Sequence, residues 1–199
     1  TVYGELDVSI LNEKPTDRKD ILTKIWSPNS RPQLYRLIED ELKKGRQAYV
    51  ICSLIDNNPT NELKSVQQEY KRLDQSVFKH RKIGLLHGKL KPNEKEEVMR
   101  AFANGETDIL VSTTVVEVGV DVPNATVILI EDADRFGLAQ LHQLRGRVGR
   151  SAHQSHCYLM TSSSNAPSQR LREIEKSNDG FYLAEVDLKL RGPGEIYGR

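Results

Sequence analysis

Ile109-Leu110-Val111-Ser112-Thr113, followed further on by Ala125-Thr126-Val127-Ile128-Leu129-Ile130-Glu131, is the pair of stretches that decides the fold. Both runs are short, nearly continuous in apolar character and rich in β-branched side chains. A strand with one wet face alternates apolar and polar residues, whereas a strand covered on both faces has no need to. These runs therefore predict buried strands in a sheet with helices on either side. Outward from them, further strand-like runs at 47–54, 82–87 and 155–161 alternate with helical patterns. Leu34, Leu37, Ile38 and Leu42 recur at helical spacing behind Ser30-Arg31-Pro32-Gln33, which reads as a capping box, and Gly45 supplies a left-handed stop. Leu63, Val66, Tyr70 and Leu73 mark a second helix, 92–104 a third ended by Gly105, and 138–144 a fourth. Strands alternating with helices call for right-handed crossovers and a parallel sheet. Ligands of such sheets collect at the carboxyl ends of strands, which directs attention to the loops after residues 54, 87, 113 and 131.

The expected organisation has three parts. Residues 1–29 form an opening segment without a clear element, and 30–161 form the α/β core. Residues 162–199 leave that core through the small polar linker Ser162-Ser163-Ser164-Asn165-Ala166-Pro167. Helical patterns at 169–176 and 181–190, broken at Asn178-Asp179-Gly180, predict a helical hairpin with Arg191-Gly192-Pro193-Gly194 as its exit loop. The abrupt start at Thr1 and the end inside a Gly-rich segment suggest a piece of a longer polypeptide.

With 29 basic and 28 acidic side chains in 199 residues, net charge says nothing about a nucleic-acid partner. Distribution says more, because Arg135, Arg145, Arg147, Arg150, Arg170 and Arg172 occur in a segment free of Asp and Glu. One electropositive face is expected from them. The two cysteines, Cys52 and Cys157, each lie in an apolar run, which argues against a disulfide framework and for a reducing cytosol. No stretch approaches the roughly 18 apolar residues of a membrane span, so no membrane partner is expected.

The chemistry concentrates in Gln143-Leu144-Arg145-Gly146-Arg147-Val148-Gly149-Arg150. Arginines three apart project together on a helix-like turn, and the glycines let the backbone approach whatever they grip. Paired guanidiniums suit a triphosphate, whose transition-state charge spreads over several oxygens. Upstream, Val111-Ser112-Thr113-Thr114 leads through Glu117-Val118-Gly119 to Asp121. A Thr at the carboxyl end of a strand is a reasonable phosphate donor, or else an ordinary helix N-cap. His87-Gly88 forms a further strand-end turn, in which His87 could equally be a hydrogen-bonded structural residue. His153, His156 and Cys157 do not make a zinc site, because adjacent residues on a strand point to opposite faces and a fourth ligand is missing.

The Gln-x-x-Gly-Arg-x-Gly-Arg pattern resembles motif VI of superfamily 2 DNA helicases. That resemblance implies that Gln143, Arg147 and Arg150 face an ATP held by another lobe, with the two arginines acting as fingers. The 111–123 segment resembles motif V, which implies that Thr113 contacts a DNA phosphate while Gly119 and Asp121 lie by the nucleotide, Asp121 near the ribose. The strand and helix around 84–105 resemble the region between motifs IV and V, where the turn matching His87 and Gly88 lies on the nucleic-acid backbone. Ser177-Asn178-Asp179-Gly180-Phe181 and Arg191-Gly192-Pro193-Gly194-Glu195 resemble the translocation motif shared by the RecG and Mfd families, and their wording favours RecG. Tyr3-Gly4-Glu5-Leu6-Asp7-Val8-Ser9 resembles RecG as well. In that family arginines matching Arg170 and Arg191 join a downstream glutamine, which the chain does not reach, in coupling ATP state to DNA movement.

The resemblance implies a RecA-like three-layer α/β/α lobe with a mostly parallel sheet and a C-terminal helical hairpin. It also implies the second motor lobe of a bacterial, cytoplasmic, nucleoid-associated enzyme that moves on branched double-stranded DNA at replication forks and Holliday junctions. Its partners would be its own N-terminal motor lobe and a wedge domain. No Gly-x-x-x-x-Gly-Lys-Ser/Thr segment occurs, and Glu131-Asp132-Ala133-Asp134 is not placed as its carboxylate partner. ATP and Mg2+ are thus expected mainly on the first lobe, and this lobe alone is expected to be silent. The alternatives are an Mfd-like transcription-repair coupling lobe and a non-catalytic DNA-binding module. A dinucleotide-binding enzyme is disfavoured because no Gly-x-Gly-x-x-Gly follows a strand.

Overall fold

The computed structural model describes residues 19–54, 58–113 and 121–198, with backbone alone for 59 and 192–198. Its strands are β1 (Leu22–Trp26), β2 (Gln47–Cys52), β3 (Ile83–Leu86), β4 (Ile109–Thr113), β5 (Ala125–Ile130) and β6 (His156–Met160). They form one sheet in the order β1-β6-β5-β2-β4-β3, with every pairing parallel. The helices are α1 (Arg31–Lys43), α2 (Glu62–Asp74), α3 (Pro92–Ala103), α4 (Leu138–Arg145), α5 (Gln169–Lys176) and α6 (Gly180–Gly198).

The continuous apolar runs pack on both faces, as their pattern requires. Tyr49, Ile51, Leu110, Ile128, Ile130, Cys157 and Leu159 meet α3, α4, α5 and α6 on one face. Their strand neighbours Ala48, Val50, Ile109, Val111, Val127, Leu129, Tyr158 and Met160 meet α1 and α2 on the other. The result is the three-layer α/β/α lobe with α5 and α6 as its C-terminal hairpin. Gly45 (φ +90°) and Gly105 (φ +80°) take the left-handed conformation that ends α1 and α3. Cys52 and Cys157 are buried free thiols.

Several local expectations are corrected. The capping box at Ser30 does not form: a 3-10 turn (Pro28–Ser30) runs directly into α1 and leaves Ser30 at φ −100°, ψ 10° with no side-chain bond. An N-cap needs extended backbone to turn its hydroxyl back toward the helix. Ser168, which is extended, does cap α5 by accepting from the Leu171 N–H at 3.3 Å. Leu37 and Tyr70, assigned to apolar helix faces, are exposed. The expected exit loop at 191–194 is helical backbone in α6, although Pro193 has no N–H to give to the helix ladder. The opening segment contributes β1, an edge strand whose Ile25 N–H donates to Glu175 Oε2 of α5 at 2.8 Å. That carboxylate blunts an otherwise open sheet edge.

Candidate functional site

The residues singled out in the sequence fall at opposite ends of the strands, the amino edge and the carboxyl edge. Arg147, Val148, Gly149 and Arg150 follow α4 and precede β6. Gly149 donates its N–H to Ser155 Oγ at 2.9 Å and abuts Ile21, so this turn lies at the amino ends of β6 and β1. Gly149 has φ +80°, and a Cβ there would meet Ile21 Cγ1 at 2.8 Å. Both backbone and space therefore require glycine. Arg150 is 43% exposed; its Nε donates to the Gly146 carbonyl at 3.0 Å and its Nη1 lies 3.6 Å from Asp121 Oδ1. Arg147 is half-buried and Gln143 is exposed. Burial pushes the Tyr49 phenol up to about 12, an effect that the charges of Arg147 and Arg150 oppose and that of Asp121 reinforces. Arg150 and Asp121 thus face each other, and together with Arg147 they act electrostatically on Tyr49. Gly119 lies outside the described residues.

The other group sits at the carboxyl ends. Thr113 closes β4 and is buried, and its Oγ1 donates to Glu62 Oε1 at 2.7 Å. The Gly88 N–H donates to the same oxygen at 2.8 Å. His87 is buried beside it, with Nδ1 lacking a hydrogen-bond partner. Burial lowers the His87 pKa, with Glu62 opposing. Glu62, the first residue of α2 and only 4% exposed, was missed in the sequence, where it is one acidic residue at a helix start. It draws Thr113 and Gly88 together, with His87 next to Gly88 in the chain.

Next to this group a cavity of about 240 Å³ is lined by Ser53, Glu69, Arg72, Glu131, Asp132 and Arg135, among others. Arg31 pairs with both carboxylate oxygens of Glu131, and Arg72 reaches Glu131 at 3.2 Å. Burial, reinforced by Glu131, pushes the Glu69 carboxyl up to about 7. Asp132 adopts φ +50°, the one positive-φ non-glycine among the described residues, and accepts from Ser53 Oγ at 2.7 Å.

The single electropositive face is not formed. Arg135 lines the carboxyl-edge cavity, Arg150 lies at the amino edge, and Arg145 is inside the fold at 2% exposure. Its guanidinium donates to the Ile174 carbonyl at 2.7 Å and to Thr23 Oγ1 at 3.3 Å, tying α4 to α5 and β1. A buried arginine among backbone acceptors leaves no local mark in a sequence. Arg170 donates to the Asp134 carbonyl at 2.8 Å, whereas Arg191 pairs along α6 with Asp187 at 3.0 Å. The two residues expected to couple translocation are therefore held on separate elements. Among the described residues no group of three or more His, Cys, Asp and Glu side chains is arranged to hold a metal, and no helix is long and apolar enough to cross a membrane.

A parallel α/β lobe with an arginine turn at one edge and strand-end donors at the other is the form of a helicase motor lobe, and the family model for the helicase conserved C-terminal domain matches residues 30–152. The chain belongs to that family. Within it, the likeness is to RecG. The chain is 53% identical, over all of its length and 24% of the relative's, to the ATP-dependent DNA helicase RecG of Synechocystis. It is 50% identical to that of Bacillus subtilis, over all of its length and 29% of the relative's. It therefore spans about a quarter of the length of these relatives. The solved structure of RecG bound to a three-way DNA junction superimposes with a TM-score of 0.75 at 45% identity, covering 92% of this chain and 24% of the other. Yeast Dbp5 bound to RNA and ADP BeF3 shares the fold alone, at 15% identity and a TM-score of 0.52, over 94% of this chain and 53% of the other.

Proposed function

We propose that this chain is the second motor lobe of an ATP-dependent double-stranded DNA translocase that remodels branched DNA in recombination and repair, by fork reversal and Holliday junction branch migration. The observation that carries the reading is the amino-edge turn, where Gly149 holds Arg150 in solvent beside half-buried Arg147. A guanidinium whose carboxylate contact is as loose as 3.6 Å can turn to a phosphate brought by a neighbouring lobe. These residues fit the nucleotide as charge-stabilising groups and not as its main cradle.

In this reading MgATP, held chiefly by the chain's own N-terminal motor lobe, supplies the phosphoryl group whose cleavage drives movement. Arg147 and Arg150 would present positive charge to its γ-phosphate oxygens, with Gln143 on the helix that leads into their turn, and Asp121 would serve the ribose side, a role that the resemblance gives to Gly119 as well. At the other edge the Gly88 N–H, the Thr113 hydroxyl and His87 grip the DNA backbone. Arg170 and Arg191 anchor the hairpin that links the two events. A wedge domain outside this chain would recognise the junction, and the bacterial cytosol, at the nucleoid, is where such a substrate is found. The junction-bound RecG relative supports the choice of branched DNA.

The experiment is the ATPase of the complete polypeptide on forked and on linear duplex, beside the 199-residue chain. The expected result is strong stimulation by the fork and no turnover by the chain alone. Equal stimulation by linear duplex would remove the branched-DNA assignment. Turnover by the chain alone would remove the two-lobe assignment.

A further inference from the structure

The donors assigned above to the DNA backbone are already occupied. One carboxylate oxygen, Glu62 Oε1, accepts both the Gly88 N–H at 2.8 Å and the Thr113 hydroxyl at 2.7 Å. A phosphate oxygen is the other anionic acceptor that such a pair suits, and the two cannot hold the same donors at once. Glu62 is also the first residue of α2, where the free N–H groups of a helix start favour an anion of either kind. The fit is close: a Cβ on residue 88 would lie 2.8 Å from Glu62 Oε2, so glycine at 88 leaves room for the carboxylate.

We propose that Glu62 is a built-in phosphate mimic, holding the Gly88 and Thr113 donors in the DNA-free lobe and giving them up to a backbone phosphate when DNA binds. The proposal rests on the DNA-grip reading of Thr113 and Gly88 and adds to it a competitor within the protein. Its consequence is a two-position element. With the carboxylate seated, the donors are aligned and the strand ends are held. With DNA bound, the side chain leaves its 4%-exposed position and its negative charge must move away from the phosphate. Weakened affinity for DNA is the outcome, which suits a lobe that has to release and regrip during movement.

The test is fluorescence anisotropy of the complete polypeptide with a labelled three-way junction at one fixed salt concentration, since phosphate contacts are salt-dependent. Glu62→Gln keeps the size of the side chain and one acceptor oxygen, now neutral and so a weaker rival to a phosphate, and is expected to bind about tenfold tighter, equivalent to about 1.4 kcal/mol. Glu62→Asp withdraws the oxygen by one methylene and is expected to tighten binding by less. Thr113→Val should weaken binding in the parent and, with only the Gly88 donor left to compete for, shrink the gain in the Glu62→Gln background. If Thr113→Val changes nothing in either background, the DNA-grip reading itself fails. If Thr113→Val weakens binding while neither Glu62 variant tightens it, the grip stands and the competitor is refuted. A gain undiminished by Thr113→Val also refutes it, as it would come from overall charge. Melting temperatures of all variants separate lost folding from altered affinity.

Discussion

Gly149→Ala perturbs the arginine turn through two effects that the structure lets one weigh separately. At φ +80° an L side chain crowds its own backbone, at about 1–2 kcal/mol. The new methyl also meets Ile21 Cγ1 at 2.8 Å and Cδ1 at 2.9 Å, closer than side-chain contacts run. Overpacking of that kind costs about 1–3 kcal/mol. Together they destabilise by about 2–5 kcal/mol, and for a chain of this length each kcal/mol lowers the melting temperature by roughly 2–4 °C. A double-mutant cycle isolates the steric part. In an Ile21→Ala background the methyl has room, so Gly149→Ala should cost only the backbone part there, leaving a coupling of about 1–3 kcal/mol.

The same substitution has a functional reading. Arg150 is the next residue, and relief of the clash moves its backbone. Misplacement by about 1 Å can cost on the order of 100-fold in a positioned reaction, so DNA-stimulated ATPase of the complete polypeptide should fall steeply while junction binding holds. Thermal and urea denaturation measure the first effect and steady-state turnover the second. Gly149→Ala melting within a degree of the parent would refute the strain argument. An equal cost in both Ile21 backgrounds would show that the contact is not its source. Normal turnover would show that the turn does not position a working arginine.

Arg150→Ala in the complete polypeptide should lower ATP turnover by roughly 10³-fold or more, with DNA affinity nearly unchanged, because an arginine finger acts on transition-state charge; normal hydrolysis would sink the finger assignment. Arg145→Ala should destabilise by about 3–5 kcal/mol, since it opens a cavity and strands the Ile174 carbonyl, and hydrogen exchange in α5 should rise with it. The pH profile has two opposed parts. Glu69 is raised from 4.5 to about 7, so its contribution is full below 4.5 and is lost as pH rises through about 7. His87, His142 and His156 are lowered from 6.5, so theirs is present above 6.5 and is lost as pH falls. Glu69→Gln should therefore remove the falling limb between pH 4.5 and 7 and leave the histidine limb, as read from urea midpoints; a profile parallel to the parent's would overturn the Glu69 assignment.

The parts of this fold that could be read in sequence are those decided by neighbours along the chain. Val127 to Ile130 announce a doubly covered strand by themselves, and Gly45 and Gly105 announce helix ends because only their own φ is at issue. Where the outcome depends on residues far away, the pattern was silent or misleading. β1 reads Leu22, Thr23, Lys24, Ile25, Trp26, neither a regular alternation nor a continuous apolar run, and nothing local says that it pairs with β6. Ser30 has the right residue type for a cap and the wrong backbone, set by the Pro28 turn before it. Arg145 sits in the same basic motif as Arg147 and Arg150 and differs only in facing inward. Glu62 lies 26 residues from Gly88 and 51 from Thr113, so the carboxylate that organises the carboxyl edge could emerge only once β3 and β4 lay side by side.

The placement of the two candidate groups constrains how any coupling between them could work. The strands of the sheet are five or six residues long at the centre, and at about 3.3 Å per residue their amino and carboxyl ends stand roughly 17–20 Å apart. Between them is a parallel sheet packed on both faces, with interior side chains near 0% exposed, and such interiors shift between discrete packings instead of bending smoothly. A change at Arg150 therefore reaches Thr113 least readily through the strands. On the proposed function it would reach it more readily by a movement of the lobe as one body against a neighbouring lobe, with β1, α4 and α5 tied to one another by Arg145 so that the hairpin would follow. On the proposed function, hydrolysis at the amino edge would then change the position of the carboxyl edge along DNA without altering its internal shape, and the local step left to the DNA edge is the exchange of Glu62 for a phosphate.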